Sequence, residues 1–209
     1  KETSMKIMII RHAEPDYTID SLTTKGRMEA QLLAKRVSCV RDLLGCYISP
    51  KGRALDTACY TLNLTGWHAE VLPWLQEFRG RCWDPDKKVE RNCWDFRPRT
   101  YHAHPLLADP DHFLEDPMYQ NTNIEAIWRE TTEGVDAMML RYGYHRDGSI
   151  WQCEQNRHGT LVLFCHFAIG MAIVGYLEHL SPVMLWQSCC MAPSSITTLV
   201  TEERTPGEV

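Results

Sequence analysis

The fold is decided by the stretch Lys6-Ile7-Met8-Ile9-Ile10-Arg11-His12-Ala13-Glu14, near the start of the chain. The run from Lys6 to Ile10 is almost entirely apolar, which predicts a β-strand that is covered on both faces. The predicted strand ends at two basic side chains, Arg11 and His12. Because ligands of parallel α/β sheets bind at the carboxyl ends of the strands, these two side chains are the first candidates for a functional site.

Short apolar runs alternate with stretches of helical periodicity along the rest of the chain. Thr23 is a predicted N-cap, and Ala30, Leu33 and Val37 after it share one helical face. This alternation predicts an α/β fold with a mostly parallel sheet. Further strands are predicted at 46–49, 69–72, 160–165 and 196–200, and further helices from Pro50 to Gly66, from Asn123 to Gly143 and from Phe167 to about Leu180.

Length and charge limit the classes of protein that fit. A length of 209 residues favours one domain, which we predict at residues 5–209. The 22 basic and 27 acidic residues give a formal net charge of -5, so nucleic acid is not expected as a partner. The most apolar stretch, 161–177, contains His166 and is too short for a bilayer span, so no membrane partner is expected. The sequence leaves the oligomeric state open.

The chain has nine cysteines, an odd number with no CxxC pair. Most of them lie within apolar or helical patterns, which is typical of reduced thiols that pack as small hydrophobic residues. Because reduced thiols persist inside cells, the cysteine pattern indicates a cytoplasmic protein.

A proline-rich segment at about 79–123 interrupts the alternation and is predicted to be an insertion that forms a lid or a binding loop. Its basic side chains are candidates for binding a second anionic group, and its aromatic side chains for stacking on a ring. The alternative, which we favour, is that they stabilise the segment and solvate its surface. The basic candidates are Arg81, Lys87, Lys88, Arg91, Arg97 and Arg99, and the aromatic ones are Trp83, Trp94, Phe96 and Tyr101.

The same segment contains a group of histidine and aspartate residues of the kind that bind metals. Their spacing matches no established pattern of metal ligands, so no metal site is predicted. These residues are His102, His104, Asp109, Asp111 and His112.

Basic side chains follow three of the predicted strands. Arg11 and His12 follow the first strand, Arg53 lies shortly after the second, and His166 follows the strand at 160–165. Because these strand ends meet at one edge of a parallel sheet, we expect the four side chains to converge. Two arginines and two histidines suit an anion, and the planar guanidinium fork fits phosphate. The sequence therefore predicts a phosphate-binding pocket.

Five segments resemble signature segments of the histidine phosphatase superfamily, which has the phosphoglycerate mutase-like fold. Arg11-His12-Ala13-Glu14 is similar to the family's Arg-His-Gly/Ala-Glu signature. The resemblance covers most of the chain apart from the insertion, and it implies a three-layer α/β fold with helices on both faces of the sheet. The other segments are Leu22-Thr23-Thr24-Lys25-Gly26, Ser49-Pro50-Lys51-Gly52-Arg53-Ala54-Leu55-Asp56-Thr57-Ala58, Leu75-Gln76-Glu77-Phe78-Arg79-Gly80 and Phe164-Cys165-His166.

The resemblance implies a role for each residue of the pocket. His12 would attack phosphorus and become phosphohistidine. Arg11, Arg53 and His166 would surround the phosphoryl oxygens, without a metal or another cofactor. Phe167 would bind phosphate through its backbone, although it stands where the family usually has glycine.

Three carboxylates compete for the role of general acid. Glu77 lies in the segment that resembles the family's acid loop, and it would protonate the leaving oxygen and later activate water. Glu70 is expected inside the predicted third strand. Glu14 is expected to order the loop after His12 or to contact substrate.

These residues predict a metal-independent phosphomonoesterase that acts on a small phosphorylated metabolite through phosphohistidine. One alternative is a phosphoglycerate-type mutase, although the Arg-His-Tyr-Gly string of that family is replaced by Phe78-Arg79-Gly80-Arg81 after Glu77. The other is a non-catalytic phosphate-binding or scaffold protein of the same fold, suggested by the bulk of Phe167.

Overall fold

The computed structural model describes residues 4–209. Over that range the chain forms β-strands and α-helices in alternation, with short 3-10 turns at Pro73–Leu75, Pro105–Ala108 and Phe113–Glu115. The strands are β1 (Met5–Arg11), β2 (Pro15–Asp16), β3 (Ser21–Leu22), β4 (Leu43–Ile48), β5 (Glu70–Val71), β6 (Arg81–Asp84), β7 (Val89–Asn92), β8 (Tyr144–Asp147), β9 (Ile150–Cys153), β10 (Gly159–Cys165) and β11 (Ile196–Val200). The helices are α1 (Thr24–Val37), α2 (Gly52–Thr65), α3 (Pro98–His102), α4 (Ile124–Leu140), α5 (Phe167–Glu178) and α6 (Pro182–Ser188).

A five-stranded sheet has the order β11-β1-β10-β4-β5. The four strands β1, β10, β4 and β5 are parallel, and β11 joins the edge antiparallel to β1. Every residue of β10 is buried, as expected for a central strand that is covered on both faces. The predicted α/β fold with a mostly parallel sheet is therefore confirmed.

Helices pack on both faces of this sheet. On one face, Leu33 of α1 and Ala58 of α2 join a buried apolar cluster with Ile10 and Phe164 from the strands. Ile9 points to the opposite face, since successive strand residues alternate. There the start of α5 lies so close that a Cβ added at Gly170 would be 3.2 Å from Cγ2 of Ile9.

The start of α1 is fixed against the chain that follows His12. Thr23 is the N-cap, as predicted, and its Oγ1 accepts a hydrogen bond from the Gly26 backbone N–H at 3.0 Å. The Thr23 backbone N–H in turn donates to the Glu14 carbonyl oxygen at 3.1 Å. A Cβ added at Gly26 would lie 2.1 Å from that same carbonyl oxygen, so only glycine fits there.

The chain divides into two compact units. The first contains the five-stranded sheet and comprises the chain through Glu77, Met138–Gly170 and Met191–Val209. The second comprises Phe78–Ala137 and Met171–Cys190. The single domain at residues 5–209 stays a prediction.

The predicted insertion at about 79–123 lies in the second unit, where it has regular structure and apolar packing of its own. It contains the antiparallel hairpin of β6 and β7 and the short helix α3. Phe113 is buried and packs edge-to-face on Tyr119 and on Trp128, with ring centroids 6.4 and 5.1 Å away. Edge-to-face aromatic contacts therefore contribute to the packing of this unit.

Several insertion side chains that were candidates for ligand contacts are held within the second unit. Arg91 forms ion pairs with Asp84 at 3.2 Å and with Asp95 at 2.5 Å. Arg81 donates to the side chain of Asn92 at 3.1 Å and to the carbonyl of Glu90 at 2.8 Å. Among the aromatic candidates, Phe96 and Tyr101 are buried, whereas Trp83 is exposed. These contacts favour the alternative in which such residues stabilise the segment.

Three hairpins or paired segments were not predicted from the sequence: β2 with β3, β6 with β7, and β8 with β9. The predicted strand at 69–72 is shorter in the structure, where β5 covers Glu70–Val71 only.

Within residues 4–209, every helix is too short or too polar to span a bilayer. All nine cysteines are free, five of them buried and four exposed, so the expected packing as small hydrophobic residues holds for five of them.

We expect Gly26→Ala to lower the free energy of unfolding by about 2–3 kcal/mol, because the added methyl group overlaps the Glu14 carbonyl oxygen. Urea denaturation measures the loss. Gly66→Ala is the matched control: Gly66 has a φ of +72° and no heavy atom within 4 Å of an added Cβ, so only its left-handed backbone carries a cost, of about 1 kcal/mol. A neutral or stabilising Gly26→Ala would contradict the close contact.

Candidate active site

The ends of β1, β10 and β4 bring three polar side chains to one edge of the sheet. Arg11, the last residue of β1, pairs with Cys165, and the His12 backbone N–H donates to the Cys165 carbonyl at 3.0 Å. On the other side of β10, the Ser49 N–H donates to the Phe164 carbonyl at 2.9 Å. His12, Ser49 and His166 are therefore the residues that come directly after the hydrogen-bonded ends of β1, β4 and β10. The imidazole rings of the two histidines meet with centroids 5.1 Å apart.

The protonation state of His12 follows from its contacts. Its Nδ1 lies 2.8 Å from the carbonyl oxygen of Ala13, an acceptor, so we assign the ring proton to Nδ1. Nε2 is then unprotonated and accepts a hydrogen bond from Nε of Arg53 at 3.3 Å. Burial first, and then the charges of Arg53 and Arg11, lower the pKa of His12 to about 4. The imidazole is therefore neutral at neutral pH, and Nε2 carries no proton.

Arg53, in the first turn of α2, is held by two residues that sequence reasoning missed. Its Nη1 donates to Oδ1 of Asp20 at 2.5 Å. Its guanidinium carbon lies 5.4 Å from the ring centroid of Tyr17. Asp20 and Tyr17 belong to the loop between β2 and β3, and neither an acidic nor an aromatic residue in a polar loop gives a sequence signal of its own.

His166 is fully buried and is also neutral. Its Nε2 lies 2.7 Å from Oγ of Ser49, a partner to which the sequence assigned no role. Its Nδ1 is buried and has no hydrogen-bond partner among the described residues. Burial is the largest cause that lowers the pKa of His166 to about 2, followed by the charge of Arg53. A buried nitrogen with no partner is costly in a folded protein unless a ligand satisfies it.

Arg11 is held on the other side of His12. Its Nη1 donates to the Met191 carbonyl at 2.5 Å, and its guanidinium carbon lies 5.8 Å from the ring centroid of Phe167. Its Nε is buried without a hydrogen-bond partner in the described chain. Phe167 is not among the residues with a left-handed backbone, so a side chain in place of the family's glycine causes no backbone strain here.

The structure thus brings together the four side chains that were expected to converge: Arg11, His12, Arg53 and His166, here called the phosphate pocket. Two cations and two neutral imidazoles line it, and two buried nitrogens, Arg11 Nε and His166 Nδ1, have no described partner. Cationic and N–H groups around a small volume are suited to a tetrahedral anion such as phosphate.

The three competing carboxylates have different partners. Oε1 of Glu77 accepts hydrogen bonds from the backbone N–H groups of Ala168 and Ile169, at 3.0 and 3.1 Å, in the first turn of α5. Glu77 therefore lies beside the residues that directly follow His166. Glu70 in β5 is bound by both terminal nitrogens of Arg141, at 2.6 and 3.2 Å.

Glu14 orders the loop after His12, which is one of its two expected roles. Its carboxylate accepts hydrogen bonds from Oγ1 of Thr23 at 2.9 Å and from Nζ of Lys25 at 2.7 Å. Glu14 and Glu70 are each bound by a cation, and Glu77 is the carboxylate that lies beside the residues directly after His166, so we take Glu77 as the candidate acid.

Among residues 4–209, no three His, Cys, Asp or Glu side chains are grouped so that they could hold a metal ion. In the insertion, His104 pairs with Asp116 at 2.8 Å and His112 with Asp109 at 3.1 Å. Each of these histidines has one carboxylate partner, an arrangement that stabilises a loop.

A family model named histidine phosphatase superfamily (branch 1) matches residues 7–138, a span that contains Arg11, His12, Arg53 and Glu77. The chain belongs to this superfamily. The resemblance recognised in the sequence is thereby confirmed. No curated protein matches this histidine phosphatase superfamily member at a significant level.

Solved structures of low sequence identity share the fold of this superfamily member. One is a mycobacterial glucosyl-3-phosphoglycerate phosphatase, with 20% identity, coverage of 94% of this chain and 90% of that chain, and a TM-score of 0.59. Another is a phosphoserine phosphatase from Entamoeba histolytica, with 18% identity, coverage of 98% and 94%, and a TM-score of 0.59. A third is described as mycobacterial hydrolase 1, with 19% identity, coverage of 92% and 87%, and a TM-score of 0.59. At these identities the likeness establishes the fold.

We expect Arg53→Ala to weaken the binding of inorganic phosphate roughly 10- to 100-fold, the loss expected for a charge-assisted contact. Isothermal titration calorimetry measures this affinity. Arg36→Ala, which removes the same charge from an exposed position in the last turn of α1, is the control and should leave the affinity unchanged. Equal affinity in the wild type and Arg53→Ala would contradict the assignment of the pocket.

Proposed function

We propose that this protein is a metal-independent phosphomonoesterase that hydrolyses a small phosphorylated metabolite through a phosphohistidine intermediate on Nε2 of His12. The observation that carries the proposal is the state of that nitrogen. Nδ1 lies 2.8 Å from the Ala13 carbonyl oxygen, so we assign it the ring proton, and the unprotonated Nε2 then faces the guanidinium of Arg53. An unprotonated nitrogen beside fixed cations is what a nucleophile needs to attack an anionic phosphoryl group.

In the first step, Nε2 of His12 forms a bond to phosphorus as the bond from phosphorus to the ester oxygen breaks. Glu77, protonated at this stage, gives its proton to the leaving oxygen, so an alcohol departs. In the second step, the Glu77 carboxylate takes a proton from water, and the resulting hydroxide attacks phosphorus and releases His12. Phosphate leaves, and Glu77 is protonated again for the next cycle.

The charge that develops on the transferring phosphoryl group is stabilised by the rest of the phosphate pocket. Arg11 and Arg53 supply two positive charges, and Nδ1 of His166 supplies a donor when it carries the ring proton and Nε2 accepts from Ser49. The backbone N–H of Phe167, at the start of α5, is the further donor that we assign to the phosphoryl oxygens.

One further feature supports a phosphatase of small metabolites, and another concerns its cellular compartment. The solved structures that share the fold include enzymes named for glucosyl-3-phosphoglycerate and phosphoserine, both of which are small phosphate monoesters. We place the protein in the cytoplasm, because four of its nine free thiols are exposed and such thiols persist in a reducing compartment.

The proposal is tested by the hydrolysis of p-nitrophenyl phosphate in excess chelator. We expect turnover by the wild type, no turnover by His12→Ala, and unchanged turnover by His68→Ala, which removes an exposed histidine. Rapid acid-free quenching with labelled substrate should trap phosphohistidine in the wild type only. Phosphate binding without turnover would instead favour the non-catalytic alternative, and transfer between two positions of a glycerate phosphate without release would favour the mutase.

The role of Glu77 gives a separate prediction. We expect Glu77→Gln to slow hydrolysis of an alkyl phosphate by about 100-fold or more, because the poor leaving group needs a proton from the acid. With p-nitrophenyl phosphate, whose leaving group needs no proton, the rate of the first step should fall much less. The initial burst of nitrophenol measures that rate. Glutamine keeps the oxygen that accepts from Ala168 and Ile169, so the fold is preserved.

Glu70→Gln is the matched control, since Glu70 is exposed and bound to Arg141. It should leave both rates unchanged. An equal loss in the rate of the first step for the two substrates in Glu77→Gln would contradict the assignment of Glu77 as the acid.

A further inference from the structure

The loop between β2 and β3 is bonded to Arg53 and to the helix that carries it. The Asp20 carboxylate accepts from Nη1 of Arg53 through one oxygen and from the Gly52 backbone N–H through the other, at 2.5 and 2.9 Å. Gly52 is the first residue of α2. A single carboxylate therefore ties both the guanidinium and the start of its helix to the loop.

The backbone of this loop is held in an uncommon conformation. Asp20 has a φ of 47°, in the left-handed region that aspartate and asparagine tolerate better than most residues. A Cβ added at Gly52 would lie 2.1 Å from the Asp20 carbonyl oxygen, so the loop packs directly on the helix start. Uncommon backbone conformations persist where surrounding contacts fix them, and they are frequent near functional sites.

The contact with Asp20 also fixes the orientation of the Arg53 guanidinium relative to Nε2 of His12. With Nη1 bound by Asp20, Nε of Arg53 points to Nε2 of His12 at 3.3 Å. The guanidinium is planar and rigid, so fixing one of its nitrogens limits the directions of the others. The orientation of the donor at His12 thus depends on a residue outside the phosphate pocket.

We propose that Asp20 is a positioning residue, whose carboxylate orients Arg53 toward Nε2 of His12 and offsets part of the positive charge around that nitrogen. The inference deepens the proposed function and rests on it, because the nitrogen concerned is the proposed nucleophile. Asp20 acts through Arg53 and does not itself bind the phosphoryl group.

The charges around His12 set the direction of the expected effect. Arg11 faces it from β1, Arg53 from α2, His166 from the end of β10 and Asp20 from the loop. Burial is the largest cause of the low pKa of His12, Arg53 and Arg11 lower that pKa further, and Asp20 raises it. Removal of the negative charge should therefore lower the pKa of His12 further, so that the ring takes up its second proton at a lower pH.

The decisive variant is Asp20→Asn, because asparagine suits the left-handed backbone and removes the charge, and its NH2 group replaces one of the two oxygens that accept from Arg53 and from the Gly52 N–H. We expect kcat/KM for p-nitrophenyl phosphate to fall about tenfold, as for the loss of one charge-assisted hydrogen bond. Nitrogen-15 NMR of the His12 ring should show a titration midpoint at lower pH. The Nε2 resonance should move toward that of an unprotonated nitrogen without a donor.

Asp16→Asn is the matched control, since it makes the same change at the end of β2, four residues before Asp20. Asp16 accepts from the backbone N–H and the hydroxyl of Thr18, not from Arg53. It should leave kcat/KM and the His12 titration unchanged. If Asp20→Asn fails to fold, Asp20→Gly, which also suits a positive φ, is measured in the same way with the same expectations.

A lower melting temperature of Asp20→Asn with an unmoved His12 titration would mean that Asp20 is structural only and would overturn the proposal. Equal shifts in Asp20→Asn and Asp16→Asn would overturn it too, because the effect would then belong to the loop as a whole. The NMR readout needs no turnover. A wild type without activity or phosphohistidine would therefore refute the proposed function, while the His12 titration would still decide the role of Asp20.

Discussion

The hydrogen bond from the His12 backbone N–H to the Cys165 carbonyl fixes the geometry on which the site depends. It continues the parallel pairing of β1 with β10 by one step beyond the last paired residues, Arg11 and Cys165. A shift of one residue in this register would turn His12 to the opposite face of the sheet. The pairing therefore sets the 5.1 Å separation of the two imidazole rings before any side-chain interaction contributes.

The charge balance of the pocket follows from burial. Two histidines lie beside two arginines, and burial together with those charges keeps both imidazoles neutral. A free pocket of this kind has an excess of positive charge and buried nitrogens without partners, which is unfavourable by itself. A phosphate dianion would offset both costs, because it is attracted by both guanidinium groups and accepts hydrogen bonds from the two buried nitrogens. Under the proposed function, the features that are costly without a ligand are therefore those that bind the phosphoryl group.

Much of the fold could be predicted from the sequence, because continuous apolar runs such as Lys6 to Ile10 record burial on both faces, and Thr23 is a strong N-cap. The convergence of Arg11, His12, Arg53 and His166 could also be predicted, since strand ends of a parallel sheet meet at one edge. Hydrophobic periodicity does not predict which partner a polar side chain contacts. Ser49 and Asp20 were therefore missed as contacts of His166 and Arg53, although Ser49 begins one recognised motif and Asp20 stands two residues before another. The short hairpins were missed for a related reason, since two- to four-residue strands carry too little pattern to detect.

Phe167 stands where the family usually has glycine, and its contacts show how the structure accommodates the larger side chain. A glycine before a phosphate site allows close backbone approach, so the sequence predicted crowding at this position. In the structure the ring of Phe167 lies beside the guanidinium of Arg11, whose Nη1 is bound to the Met191 carbonyl. Arg53 is held in the same manner, by the ring of Tyr17 and by an ion pair. Each arginine of the pocket thus has one aromatic contact and one fixed acceptor, which reduces the side-chain freedom that phosphate binding would otherwise have to remove. The added ring therefore contributes to preorganisation of Arg11, and the substitution is compatible with a working pocket on physical grounds.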